Sequence, residues 1–330
     1  MSVLDIKGLE IHFQTDGGLV QAIDHLNLSV REGEIVGLVG ESGCGKTTVA
    51  RCILGVLAQP PAQINSGEIC FQGQDLLSTP EADLTTYVRG KAITFIPQDP
   101  QTSLNPLFPV GVQLRDMLAW STPQRRRKRE LMEQIVTLMQ QVQIPSPETQ
   151  LKKYPHEFSG GQRQRLVIAA ALAPQPELII ADEPTSALDV TVQAQILLLL
   201  KTLTRERGTS VLLITHDLGV VAKLCDRVVV MYAGQEAEVA PTASLFSRTS
   251  HPYTQKLLDS LPDRQEGDIV GIPGTVPHLV DPPQGCRFHT RCDQAMPVCS
   301  QTQPPAVEIF PDHWVRCHLF PGEDDHGRHT

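Results

Sequence analysis

The sequence predicts an α/β fold built around a phosphate-binding loop, and three observations carry that prediction. The first is Gly40-Glu41-Ser42-Gly43-Cys44-Gly45-Lys46-Thr47, which fits G-x-x-x-x-G-K-[ST] at every fixed position. The second is the apolar run over residues 177–183, which ends in two acids, Asp182 and Glu183. The third is the alternation of helical periodicity with short apolar strands over residues 159–239, the pattern of a parallel sheet flanked by helices.

Taken in order, residues 1–96 read as strand-rich. Residues 34–39 form a buried strand that delivers the chain into the glycine loop, and residues 47–57 form a helix whose N-terminal dipole faces the phosphates. Glycines let the backbone wind tightly enough for several N–H groups to face one anion. Lys46 then reaches the β and γ phosphates, and the Thr47 hydroxyl suits Mg²⁺. Residues 102–157 turn helical and polar, which reads as an inserted helical segment. Phe158-Ser159-Gly160-Gly161-Gln162 opens an amphipathic helix over residues 163–172, with Ser159 suited to the N-cap. Parallel-type strands follow at residues 178–181, 211–214 and 228–232. The strand over residues 177–183 has the form that brings one carboxylate to a Mg²⁺ shell and a second to an attacking water.

At 330 residues, 41% hydrophobic and 20% charged, the chain has room for two domains and an ordinary globular core. No apolar run is long enough to span a bilayer, and the first residues have neither the basic nor the apolar region of a signal peptide, so a cytoplasmic location is expected. A net charge of −9 argues against a nucleic-acid surface. The basic run Arg125-Arg126-Arg127-Lys128-Arg129 starts a helical pattern and reads as a solvated helix face, with contact to anionic lipid or a membrane partner left open. After about residue 241 the composition shifts. Twelve of the 26 prolines fall in the last 90 residues, helical patterns fade, and a segment hard to fold by core burial alone is expected.

With these motifs in place the sequence resembles the ABC transporter ATPases, in which Leu-Ser-Gly-Gly-Gln stands where this chain has Phe158 to Gln162. Gln98 matches the family's glutamine loop, Ser186-Ala187-Leu188-Asp189 its D-loop, and His216 its switch histidine. Phe13 lies where the family stacks an aromatic ring on adenine, although an edge-strand core position explains it equally well. The resemblance implies a nucleotide core joined to a helical subdomain. Its boundaries here are residues 1–97 and 159–245 for the core and 98–158 for the subdomain. Residues 246–330 form a C-terminal extension, opening with His251-Pro252-Tyr253-Thr254-Gln255-Lys256-Leu257-Leu258, which resembles that of the oligopeptide and dipeptide branch.

The resemblance also implies the roles. Glu183 polarises the attacking water, His216 steadies the γ-phosphate, and Thr47 and Gln98 ligate Mg²⁺, with Asp182 on the metal's water shell. ATP binding falls to Phe13, Gly40, Ser42, Gly43, Cys44, Gly45, Lys46, Thr47 and Thr48. Ser159, Gly160, Gly161, Gln162 and Asp189 act on ATP held by a second ATPase subunit, in a homo- or heterodimer. The implied function is the ATP-hydrolysing subunit of an importer of di- and oligopeptides. It would lie peripherally on the cytoplasmic face of the inner membrane, with two permease subunits and, indirectly, an extracytoplasmic binding protein. The alternative is a non-transport ATPase of this type in DNA repair or translation, whose usual paired cassettes, zinc modules or long basic helices are not evident in the sequence.

Eight cysteines divide evenly between core and extension. Cys44, Cys52, Cys70 and Cys225 read as core or loop residues, while Cys286, Cys292, Cys299 and Cys317 crowd the proline-rich extension as C-x5-C-x6-C-x17-C. Disulfides, a structural Zn²⁺ and a [4Fe-4S] cluster all remain compatible with that spacing, which lacks the short zinc knuckle and matches neither common ferredoxin pattern. The resemblance favours the [4Fe-4S] cluster, because dipeptide-transporter ATPases of the branch carry one on cysteines of this extension.

Overall fold

The computed structural model describes residues 2–121, 127–186, 188–261 and 271–320. The chain gathers into two compact units. The first comprises Met1–Val3, Val30–Ile35 and Ser78–Ile214, the second Leu4–Ser29, Val36–Leu77 and Thr215–Thr330. This grouping does not follow the segments drawn from the sequence: residues 159–214 join the inserted segment, and residues 215–245 join the extension.

In the first unit, strands Ile93–Ile96, Leu178–Asp182 and Ser210–Thr215 run parallel with Leu178–Asp182 in the middle. All five residues of that middle strand are buried, which is why it reads as a continuous apolar run instead of an alternating one. Register pairs Ile96 with Ala181 and Asp182 with Ile214, so Asp182 and the residue after it emerge at the C-terminal edge. The segment read as a helical insertion holds the helices Val110–Ser121 and Lys128–Gln141 with short turns around them. Arg125 and Arg126 lie outside the described residues. Arg127, Lys128 and Arg129 are exposed, and Arg129 pairs with Glu133 one turn on, as a solvated helix face does. The helix Gly160–Leu172 differs from the two-faced helix expected. Gln164 and Arg165 are buried along with its apolar residues, and Arg165 satisfies its guanidinium on Val142 O and Gln143 Oε1.

The second unit holds an antiparallel sheet in the order Gly18–Arg31, Ser2–Thr15, Ala62–Phe71, Gln74–Asp75. Its long central pair carries a register shift between Lys7 and Glu10, opposite Gly67 at φ 103°, where a Cβ would stand 2.5 Å from Leu9 Cα. A further set of strands runs Ala306–Phe310, His313–Arg316, Gln235–Pro241, Arg227–Tyr232, Ile35–Val39, the last two parallel with Val36 opposite Arg227. The helix after the phosphate loop, Lys46–Ile53, is shorter than the sequence suggested. Gly55 at φ 61° turns it off, and the Val56 N–H closes back on Arg51 O at 3.0 Å, a Schellman-type end.

The extension corrects the expectation of a segment with little core. Helices Thr242–Ser247 and Pro252–Asp259 are ordered, and the hairpin Ala306–Phe310/His313–Arg316 adds to the edge strand Gln235–Pro241. Tyr253 and Phe288 are buried against Tyr232, with ring centroids 4.6–5.3 Å apart. His313 and Glu238, neither exposed at all, meet at 2.7 Å, and Glu238 also accepts from the Ser250 and His251 amides. Burial holds His251 neutral, its pKa lowered to about 4. Aromatic rings and satisfied ion pairs, rather than an aliphatic pattern, supply this core.

Candidate functional site

In the second unit, the phosphate loop owes its shape to its glycines in different ways. Gly40 (φ 154°) and Gly45 (φ 104°) press against the fold. A Cβ on Gly40 would stand 2.2 Å from Met231 O, and one on Gly45 2.8 Å from Ala22 O. Gly43 (φ 82°) meets nothing within 4 Å, so only its backbone conformation calls for glycine. Lys46 is buried, and its ammonium donates to Gly40 O at 2.7 Å and Glu41 O at 3.0 Å, which draws the loop around the charge. Cys44 is buried with Sγ 3.6 Å from Lys46 Nζ. Ser42 and Thr47 are exposed and Thr48 is half-buried. No side chain caps the helix Lys46–Ile53, and its first turn carries no acid, so nothing of that kind competes for an anion at its N-terminus. Phe13, half-buried, lies in the strand Ser2–Thr15 opposite Ala62. His216 is exposed directly after the strand Ser210–Thr215, and Asp217 caps the helix Leu218–Leu224 beside it.

In the first unit, Asp182 is buried at its strand's end and Glu183 follows at φ 46°, a left-handed conformation uncommon for a glutamate. The Glu183 N–H donates to Ile214 O at 2.8 Å, and Glu183 Oε2 accepts from Gln98 Nε2 at 2.9 Å. Two residues 85 apart in sequence are thus brought together. Ser159 is the N-cap of Gly160–Leu172: its Oγ accepts from the Gln162 N–H while Gln162 Oε1 accepts from the Ser159 N–H. A Cβ on Gly161 would stand 2.6 Å from Val192 Cγ1, so packing alone already calls for glycine there. Asp189 likewise has structural work, capping Val190–Arg207 through the Val192 N–H at 3.0 Å. Ala187 lies outside the described residues.

Sequence reasoning missed the residues that hold the phosphate loop from the extension. Glu41, in a variable position of the loop, forms a two-pronged ion pair with Arg291 at 2.8 and 3.1 Å, and its N–H donates to Tyr253 Oη at 3.0 Å. Nearby, Arg287 pairs with Asp24 at 2.8 Å and donates to Ala233 O. Burial alone would raise the Asp24 carboxyl, but hydrogen bonds and charge from His25 and Arg287 hold it below the usual range. The only local signal was Pro252 after His251, a helix start that places Tyr253.

Cys286, Cys292, Cys299 and Cys317 carry free thiols, and the Cys286 N–H donates to Cys299 O at 2.8 Å. Burial pushes the Cys286 thiol up to about 11. Among the described residues, no group of three or more His, Cys, Asp or Glu is arranged to hold a metal ion. Nor is any described helix long and apolar enough to cross a membrane.

Comparison with known proteins agrees with this architecture. The ABC transporter family profile matches residues 23–186, and the profile of the oligopeptide/dipeptide transporter C-terminal region matches residues 237–299. A probable peptide ABC transporter ATP-binding protein of Sinorhizobium fredii is 46% identical over 96% of this chain and 94% of its own length. The oligopeptide transport ATP-binding protein OppD of Bacillus subtilis is 45% identical over 96% of this chain and 89% of its own. Among solved structures, the dimeric ATP-binding cassette MJ0796, in a post-hydrolysis state with ADP and Pi, superposes with a TM-score of 0.64. It is 26% identical and covers 72% of this chain and 98% of that one. The chain therefore belongs to the ABC transporter family of ATP-binding proteins, in the branch that carries the oligopeptide/dipeptide transporter C-terminal region.

Proposed function

We propose that this chain is the ATP-hydrolysing subunit of an importer of di- and oligopeptides, bound peripherally at the cytoplasmic face of the inner membrane. The observation that carries the reading is an intact phosphate loop and a paired Gln98–Glu183 on a chain matched over 96% of its length by peptide-transport ATP-binding proteins. The DNA-repair or translation alternative gains nothing from these relatives.

The roles follow from the chemistry of each residue. Lys46 and the loop amides from Gly40 to Thr48 bind the phosphates, with Phe13 against the base. Thr47 Oγ1 and the Gln98 amide oxygen are hard donors suited to Mg²⁺, with Asp182 on its water shell; the ion, when bound, withdraws charge from the phosphates. Glu183 orients and polarises the attacking water, and the Gln98 amide at 2.9 Å fixes its carboxylate. His216 donates toward the γ-phosphate. The Ser159 hydroxyl, whose oxygen already accepts from Gln162, keeps its proton to donate, and with the amides of Gly160, Gly161 and Gln162 it serves ATP on a second ATPase subunit, Asp189 holding the adjoining helix. In this division residues 1–97 and 159–245 work as the nucleotide core, 98–158 as the helical subdomain and 246–330 as the extension.

For the permease partners, the exposed Phe95, Met117 and Trp120 of the first unit line a cavity of about 260 Å³ beside Pro97, and Leu107 and Phe108 are exposed nearby in sequence. An apolar patch next to the glutamine loop suits a membrane subunit that must sense Gln98. For the extension, the four thiols fit a [4Fe-4S] cluster better than Zn²⁺. Four thiolates are the ligand number such a cluster takes, their spacing lacks the short knuckle usual for zinc, and the extension resembles that of the dipeptide-transporter branch.

The test compares Lys46→Ala with Ser159→Arg. Lys46→Ala should abolish ATP binding by the isolated chain, whereas Ser159→Arg should bind ATP and block hydrolysis only in the assembled transporter. Normal hydrolysis by assembled Ser159→Arg would remove Ser159 from the site.

A further inference from the structure

We propose that Arg291 and Tyr253 of the C-terminal extension are positioning residues for the phosphate loop, clamping Glu41 so that the loop keeps its anion-binding shape. The proposal rests on reading residues 40–47 as that loop.

Glu41 is tied at every polar group. Its carboxylate takes both prongs of the Arg291 guanidinium, its N–H donates to Tyr253 Oη, and its carbonyl accepts from Lys46 Nζ at 3.0 Å and from the Cys44 N–H at 3.3 Å. One residue thus links the phosphate-binding lysine to the extension, 250 residues away in sequence. Both clamping side chains are themselves fixed. Arg291 donates to Pro273 O, Ile272 O and Tyr232 Oη, lies over the Tyr232 and Phe288 rings, and has a side chain only 3% exposed. Tyr253 is fully buried between the Tyr232 and Phe288 rings, so its hydroxyl has one place to be. A two-pronged guanidinium fork on a carboxylate sets orientation as well as charge.

The electrostatics give the clamp a function beyond stability. The Glu41 side chain is only 25% exposed, and without Arg291 it would leave an uncompensated carboxylate in the loop that must receive a polyanion. That carboxylate would repel the phosphates and compete with them for the Lys46 ammonium. Removing the arginine should therefore harm nucleotide binding more than removing the pair.

The experiment measures the affinity of the full-length chain for a fluorescent ATP analogue with Mg²⁺, alongside thermal unfolding. Arg291→Met should weaken binding roughly tenfold, and Glu41→Gln in the same chain should restore most of the loss. In the assembled transporter, Arg291→Met should raise KM for ATP with little change in kcat. Folded Arg291→Met that binds within about twofold of the parent, or a double variant no better than Arg291→Met, would overturn the proposal. Should Arg291→Met not fold, Tyr253→Phe decides: a several-fold weaker affinity supports the clamp and an unchanged one refutes it. Lys46→Ala is the reference. Normal binding by Lys46→Ala would overturn the phosphate-loop reading and the clamp together, whereas loss there with no effect at Arg291 or Tyr253 would overturn the clamp alone.

Discussion

Replacing Glu183 by glutamine separates folding from chemistry. In the fold, Glu183 Oε2 accepts from Gln98 Nε2 at 2.9 Å, and the Glu183 N–H donates to Ile214 O at 2.8 Å. Glutamine retains the backbone contact, the side-chain length and an acceptor oxygen. At the Gln98 contact the loss in folding is the difference between a charge-assisted and a neutral hydrogen bond, about 1 kcal/mol. The positive φ of 46° costs the two side chains alike. In the reaction, the same change removes the charge that orients water, and deleting one such group lowers turnover by about 10² to 10³, or about 2.7–4 kcal/mol. The assay is phosphate release by the assembled transporter at saturating ATP, with ATP affinity and thermal unfolding measured on the same protein. The expected result is a turnover loss far larger than the stability loss, with ATP affinity retained. Near-normal turnover would exclude Glu183 as the carboxylate that activates water.

Gly40→Ala should destabilise by about 2–5 kcal/mol and abolish ATP binding, because strained φ adds to a clash with Met231 O at 2.2 Å; Gly43→Ala, with open space around its Cβ, should lose only about 1–2 kcal/mol. Calorimetry checks the order of the two, and an equal loss would contradict it. Because the folded His251 has its pKa lowered to about 4 from 6.5, the unfolded chain takes up the proton first as pH falls. Stability from this residue is full above pH 6.5 and lost progressively toward pH 4, so denaturant titrations of His251→Asn should show a flatter pH dependence across that window. Replacing any of Cys286, Cys292, Cys299 or Cys317 by serine should remove the brown colour and iron of anaerobically purified protein. Colourless parent protein with about one zinc would assign a zinc site instead.

The phosphate loop, the strand into Asp182 and Glu183, and the Ser159 cap were legible because each is local: spacing, a buried run or a capping box states the structure within a few residues. The end of the helix after Lys46 was also local, in Gly55, but the apolar residues beyond it suggested a longer helix. The core of the extension was not legible. Tyr253, Phe288, Arg287 and Arg291 form no periodic pattern, and their partners Glu41, Asp24 and Tyr232 lie far away in sequence. Nor does sequence spacing reveal that Gly161 packs on Val192 or that Asp189 caps a helix, structural duties that coexist with the roles assigned to them.

The most direct test of the central claim is peptide uptake into vesicles that hold this chain assembled with its two permease subunits and a second ATPase subunit, given the binding protein outside and ATP inside. Labelled di- or oligopeptide should accumulate with ATP hydrolysis and stop with Glu183→Gln. ATP hydrolysis that neither drives peptide accumulation nor responds to loaded binding protein would contradict the account.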